Sequence, residues 1–105
     1  FDIGKAVVSP IADAARVFAL ARGRLDPSNT LDRLADAQHD FPQGAAILAE
    51  AADAYRIGLY YQALAGGSDI DPDKLGKFDH VLLKNAFSFI HRFIEFTVSQ
   101  FLPAA

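Results

Sequence analysis

From Lys77 to Leu102 the large apolar side chains fall on two neighbouring stripes of a helical wheel. Phe78, Leu82, Phe89, Phe93 and Phe96 lie on one, and Leu83, Phe87, Ile90, Ile94 and Phe101 on the other. A helix that is apolar over so wide an arc is expected to be buried on more than one side. It must therefore be central in a helical domain, or it must present phenylalanine to a neighbour. Phe89 and Phe93 are the candidate interface residues for that neighbour. Lys84, His91, Arg92 and Glu95 interrupt the run, so it never reaches the ~18 apolar residues of a membrane span.

The rest of the chain supplies helices for it to pack on. Ser9-Pro10 reads as a hydroxyl N-cap followed by proline at the first helical position, where the missing N–H costs nothing. A helix from there through Ile11, Ala14, Ala15, Phe18 and Ala19 should stop at Gly23, a left-handed C-cap. Residues 24–28, with Asp26-Pro27, read as a linker. Ser28-Asn29-Thr30 offers caps for a second helix, Asp32 suits its dipole, and Leu31, Leu34 and Ala35 give it an apolar side as far as Asp40. After the break at Phe41-Pro42-Gln43-Gly44, a third helix runs from about 44 to 65. Leu48, Ala52, Tyr55, Leu59 and Gln62 recur on one face of it, and Gly66-Gly67 end it. Asp71-Pro72 opens a short turn through Leu75. Strand patterns are poor, since Val7-Val8 has no alternating continuation. The expected fold is all-α, with four to five helices in a bundle and residues 1–105 as one domain.

Composition bounds the function classes. The 105 residues carry a net charge of −3 with the Lys and Arg scattered, which does not fit a general nucleic-acid binder. Cysteine is absent, so disulfides and thiolate metal sites are excluded and a cytoplasmic location is the default expectation. Hydrophobic residues make up 51%, rich enough for a small domain that one apolar face is expected to meet a partner. The chain starts at Phe1 and contains no Met, and so reads as an excised piece of a longer protein.

Templates for chemistry mostly fail. There is no cysteine nucleophile, no phosphate-cradling loop with lysine, and no His pair at i, i+4. His39, His80 and His91 read as surface or boundary residues. The run Gly66-Gly67-Ser68-Asp69-Ile70-Asp71 has the ingredients of a Mg²⁺ site, but its turn and carboxylates are contiguous and no sheet is available to hold them. Asp69, Asp71 and Asp73 also fail as an EF-hand, because the sixth position is Lys74 and the twelfth is His80. A helix cap, a turn and another cap account for this segment. No catalytic or metal residue is therefore expected within the chain.

Polar residues set into the helical patterns are more informative. Asp13 and Arg16 can pair at i, i+3. Arg33 lies on the second helix, Arg56 and Gln62 on the third, and Lys84 on the last. They form either solvated charges with an Asp–Arg brace, or a groove for phosphate or carboxylate oxygens with Tyr60 or Tyr61 as a stacking surface. Gln62, on the expected core stripe, must brace the bundle or read a ligand.

The run Pro10-Ile11-Ala12-Asp13-Ala14-Ala15-Arg16-Val17-Phe18-Ala19-Leu20 resembles the opening of the nucleotidyltransferase substrate-binding domain family. Asn29-Thr30-Leu31-Asp32-Arg33-Leu34 is similar to its second motif. Ala54-Tyr55-Arg56, Gln62, Asp71-Pro72 with Leu75, Leu82-Leu83-Lys84 and Ala86-Phe87 follow in order. The resemblance implies a helical, non-catalytic domain at the C-terminal end of bacterial signalling proteins. An upstream nucleotidyltransferase domain in the same chain, similar to uridylyltransferases and often accompanied by CBS or cyclic-nucleotide-binding modules, would hold the catalytic carboxylates, Mg²⁺ and NTP. Carried over, Asp13, Arg16, Asn29, Thr30, Arg33, Arg56, Gln62 and Lys84 are the implied substrate-binding positions. The sequence departs from the family at Gly58 and Tyr60, where basic residues are expected. It departs again at Tyr61 for His, Ser68 for Asn and Ile94 for Gln. The competing expectation is a structural docking or dimerisation module built on the Phe-rich last helix.

Overall fold

The computed structural model describes residues 1–23, 29–67 and 69–102. Its elements are a π-helical turn Gly4–Val8 continuing into α1 (Ser9–Ala21), then α2 (Thr30–Asp40), α3 (Ala45–Ala65) and α4 (Lys77–Phe101). Short 3₁₀ turns at Pro42–Gly44 and Pro72–Lys74 precede α3 and α4, and no strand occurs among the described residues. The bundle is all-α, as the caps and periodicity predict. The extents of 42 × 29 × 23 Å follow from α4, whose 25 residues at about 1.5 Å each set the long axis.

The start of the first helix differs from expectation. Ser9 is helical (φ −65°, ψ −44°) rather than a cap, and its N–H reaches back five residues to the Gly4 carbonyl. The reason lies one residue on. Pro10 has no N–H to give the Ala6 carbonyl, and its ring crowds that carbonyl, so the preceding turn widens to π geometry instead of ending the helix. The continuation places Ile3, Val7 and Ile11 on one buried stripe that runs on through Ala14, Ala15 and Phe18. At the far end Gly23 takes φ 73°, the left-handed conformation expected of it. The expected linker 24–28 lies outside the described residues.

α2 begins where its caps place it. Asn29 is the N-cap, its side-chain oxygen accepting from the Asp32 N–H at 2.8 Å. Its buried side is Thr30, Leu34 and Ala37 with Leu31 half-buried, whereas Ala35 is exposed. α3 ends at Gly66, whose φ of 62° makes the left-handed cap.

The buried face of α3 coincides with the predicted one at Leu48 and Ala52 and departs from it towards the C-terminal end. Leu48, Ala51, Ala52, Ala54, Gly58 and Tyr61 are buried, while Leu59 is exposed and Tyr55 and Gln62 are only half-buried. Small residues explain the departure. A Cβ at Gly58 would sit 2.7 Å from Cγ1 of Val7, so the first helix lies directly on α3 where it has least bulk. Large side chains mark a stripe on a helical wheel, but close helix contact here is made by Ala and Gly.

Phe18 is the centre of the core at one end of the bundle. Its ring meets Phe41 edge-on at 5.1 Å and Phe101 at 4.8 Å, and stacks on Phe93 and Phe96 at 6.1 and 6.2 Å. These offset and edge-to-face arrangements add about 0.5–1.5 kcal/mol per pair to the area buried. Gly44 lies under the same cluster, where a Cβ would come 2.1 Å from Cζ of Phe96. α4 is thus buried along one arc, through Leu83, Ala86, Ile90 and Phe93. The two-sided burial expected from its composition is not seen within the chain, since Phe78, Phe87 and Ile94 are exposed. Phe93 is fully buried against Phe18, so its ring is not available to a partner; Phe89 is half-buried beneath the Arg92 guanidinium.

Ion pairs link the surfaces of these helices. Arg92 of α4 pairs with Glu50 of α3, and Arg22, just past α1, pairs with Asp40 at the end of α2. Both are partly open to solvent, and pairs of that kind contribute up to about 1 kcal/mol each.

Candidate functional site

The C-terminal turn of α3 and the segment that follows it enclose a cavity. Gly66 and Gly67, both at positive φ, turn the chain back across the helix end. Asp71 then caps the 3₁₀ turn by accepting from the Asp73 N–H at 3.0 Å. Ile70 is buried, and its backbone exchanges two hydrogen bonds with Phe1, at 2.7 and 2.8 Å. The result is a cavity of about 320 Å³. Tyr61, Leu64, Ala65, Ile70 and Leu75 form its apolar wall, and Asp69, Asp71 and Lys74 bring charge to it.

Tyr61 is the anchor of this corner. Its ring is buried, and its hydroxyl donates to Oδ1 of Asp79 in the first turn of α4. Oδ2 of the same carboxylate accepts from the Gly76 N–H at 3.0 Å, which caps α4. One carboxylate therefore starts α4 and ties it to α3. Burial, reinforced by the hydrogen bond to Asp79, pushes the Tyr61 phenol up to about 12. The Tyr61 hydrogen bond and then that from Gly76 hold the Asp79 carboxyl below its ordinary value.

The polar positions singled out in the sequence are distributed over the bundle. Asp13 and Arg16 pair at 3.3 Å on the open face of α1, with 70% and 56% of their side chains exposed. Arg56 pairs with Asp53 of its own helix at 3.2 Å. Asn29 is engaged in capping, and Thr30 beside it is buried at the first position of α2. Arg33 is half-buried and engaged with neighbours, and Lys84 is exposed on α4. Gln62 lies over the π-turn, its Nε2 so near Gly4 that a Cβ there would be 2.8 Å away. That contact favours the bracing alternative for Gln62. None of the eight lines the cavity.

Of the two tyrosines considered for stacking, Tyr61 is buried and turned to Asp79, and Tyr60 is exposed against its edge at 5.1 Å. Sequence patterning missed Leu64, Ala65 and Lys74 as wall residues. It read Asp69 and Asp71 as turn residues, which they are, but not as the rim of a cavity. The available signal was the Gly66-Gly67 pair, which can fold a polar turn back over a helix end. Among the described residues no three Asp, Glu or His side chains gather closely enough to hold a metal ion.

The Asn29 cap and the Asp71-Pro72 turn lie within two of the runs on which the family resemblance rests. The profile of the family described as "Putative nucleotidyltransferase substrate binding domain" matches residues 1–101. The chain belongs to that family. The match takes in every helix from the π-turn at Gly4–Val8 to the end of α4. Where the resemblance led to basic residues and a histidine being expected on the third helix, Gly58 packs under Val7, Tyr60 is exposed and Tyr61 is buried. No curated protein and no solved structure matches the chain. No helix among the described residues is long and apolar enough to cross a membrane.

Proposed function

We propose that this chain is the non-catalytic helical domain that closes the substrate cleft of a nucleotidyltransferase, carried downstream of the catalytic domain in the same protein. The observation that carries the reading is the family match across residues 1–101. On this reading the neighbouring domain holds Mg²⁺ and NTP. On the same reading the reaction is uridylyltransferase-like, and CBS or cyclic-nucleotide-binding modules upstream in the parent protein would give it a role in bacterial signalling.

What this chain contributes is binding and orientation. Arg16 stands on an open helix face and pairs with the solvent-exposed Asp13, so it can exchange that partner for an incoming phosphate or carboxylate at little cost. Arg33, Arg56 and Lys84 are further cations for such contacts. The test is nucleotidyl transfer by the full parent protein. Arg16→Ala should lower kcat/KM by about tenfold or more, the value of one charge-assisted hydrogen bond of about 1.5–3 kcal/mol. The fold should be unchanged, since Arg16 is exposed. Unchanged transfer by both Arg16→Ala and Arg33→Ala would remove these residues from the substrate site.

A second reading, a docking or dimerisation module, is favoured by one observation. Phe78, Val81, Phe87, Ile94 and Val98 on α4 are between 36% and 73% exposed. Light scattering on the chain decides whether this face pairs with a second copy; a strict monomer at high concentration counts against it.

A further inference from the structure

The cavity at the end of α3 has walls and charge of different kinds, and the combination selects a ligand class. Its volume of about 320 Å³ is at the lower end of the roughly 300–1,000 Å³ typical of ligand sites. Leu64, Ala65, Ile70 and Leu75 give it an apolar wall, backed by the buried Tyr61 ring. Three features set its sign. Asp69 and Asp71 stand on the lining. The helix that ends at the cavity directs its carbonyl pole there, equivalent to about half a negative charge, and has no basic residue in its last turn. Residues 69–80 carry four carboxylates, Asp69, Asp71, Asp73 and Asp79, against Lys74 and Lys77. That surplus supplies most of the chain's net charge of −3.

We propose that this cavity binds a small molecule with an apolar body and a primary ammonium group. The body lies on Leu64, Ala65, Ile70 and Leu75, and the ammonium is directed to Asp69 and Asp71. A triphosphate is disfavoured at the same place, because Lys74 and the Phe1 ammonium, bonded to the Ile70 carbonyl, no more than balance two carboxylates and a helix C-terminus. The proposal rests on the substrate-binding reading above and gives it a substrate class: this wall of the cleft receives an amine-bearing acceptor, not the nucleotide.

The experiment is an amide chemical-shift titration of the 105-residue chain. The probes are 2-phenylethylamine, its neutral analogue 2-phenylethanol, the anion 3-phenylpropionate, and ATP. Saturable shifts at Leu64, Ala65, Ile70 and Leu75 are expected with the amine, and binding of the alcohol and the acid should be at least about fivefold weaker. Asp69→Asn and Asp71→Asn should each weaken the amine by about fivefold, in keeping with a partly solvated ion pair. They should leave the alcohol unaffected. Asn at 71 can still accept from the Asp73 N–H, so the turn survives the change. Equal affinity for amine, alcohol and acid overturns the proposal, as does ATP shifting these amides more strongly than the amine. Nucleotidyl transfer by the parent protein is read separately. Transfer without amine binding removes this proposal alone, whereas amine binding without transfer leaves the amine site standing but removes the nucleotidyltransferase reading and with it the acceptor role.

Discussion

Replacing Gly44 with alanine sets two physical effects against each other, and the structure says which prevails. Gly44 sits at φ −109° and ψ 10°, so nothing in its backbone demands glycine. By unfolded-state entropy, Gly→Ala at such a site stabilises by about 0.4–1 kcal/mol. The space beside it argues the other way. The new Cβ would lie 2.1, 2.5 and 2.6 Å from Cζ, Cε1 and Cε2 of Phe96, far inside contact distance. The ring has little room to retreat, because it stacks on Phe18 at 6.2 Å and meets Phe41 at 6.4 Å. Overpacking of this kind costs about 1–3 kcal/mol, so the net change is a destabilisation of up to about 2.5 kcal/mol. For a domain of this size each kcal/mol lowers Tm by about 4–8 °C.

Urea unfolding followed by circular dichroism gives the value through the midpoint at constant m. Pairing Gly44→Ala with Phe96→Leu isolates the cause. If the clash is with the ring, the double variant should recover at least about 1 kcal/mol relative to the sum of the two singles. A Gly44→Ala variant as stable as the parent, or one whose loss simply adds to that of Phe96→Leu, would refute the reasoning.

Asn29→Ala should cost about 1 kcal/mol through the lost cap, while Asn29→Asp should cost little, both read by thermal unfolding. Tyr61→Phe should destabilise by about 1–2 kcal/mol, since the Asp79 carboxylate loses its buried donor but keeps that of Gly76. The pH dependence carries a sign. The folded-state Tyr61 pKa is raised from 10.0 to about 12, so its contribution is full below pH 10 and is lost as pH rises toward 12. Asp79 is shifted the opposite way: its contribution holds above the ordinary carboxylate range and is lost as pH falls through its depressed value. Tyr61→Phe should flatten the alkaline limb of the stability profile and shrink the acid one; an unchanged alkaline limb in that variant would contradict the assignment. Arg16→Ala should shift unfolding by less than about 0.5 kcal/mol while weakening transfer, a split that a structural brace would not give.

At several helix ends the local backbone preference was readable in the sequence. The αL cap at Gly66, the Asn29 cap and the span Lys77–Phe101 were visible because each depends on a residue whose local preference is strong. Ser9 misled because a proline that usually opens a helix here sits inside one, accommodated by five residues of π geometry. The face of α3 was misjudged towards its C-terminal end because large side chains were counted as contacts, whereas the first helix rests on Gly58. Phe78 and Phe87 show the same limit, as apolar character along α4 does not by itself say which side is covered. The cavity could not be seen at all from spacing. It arises where a left-handed cap, a 3₁₀ turn and the start of the chain converge, across sixty-nine positions between Phe1 and Ile70.

That last junction has a mechanical consequence. Two antiparallel backbone hydrogen bonds hold residue 1 against a residue of the cavity wall. The same short segment is tied on its other side to the first helix, through the Ala6 N–H on the Asp2 carbonyl. The wall of the pocket at Ile70 is therefore pinned to the segment that leads into the first helix, and a change that loosens Phe1 should loosen that wall as well.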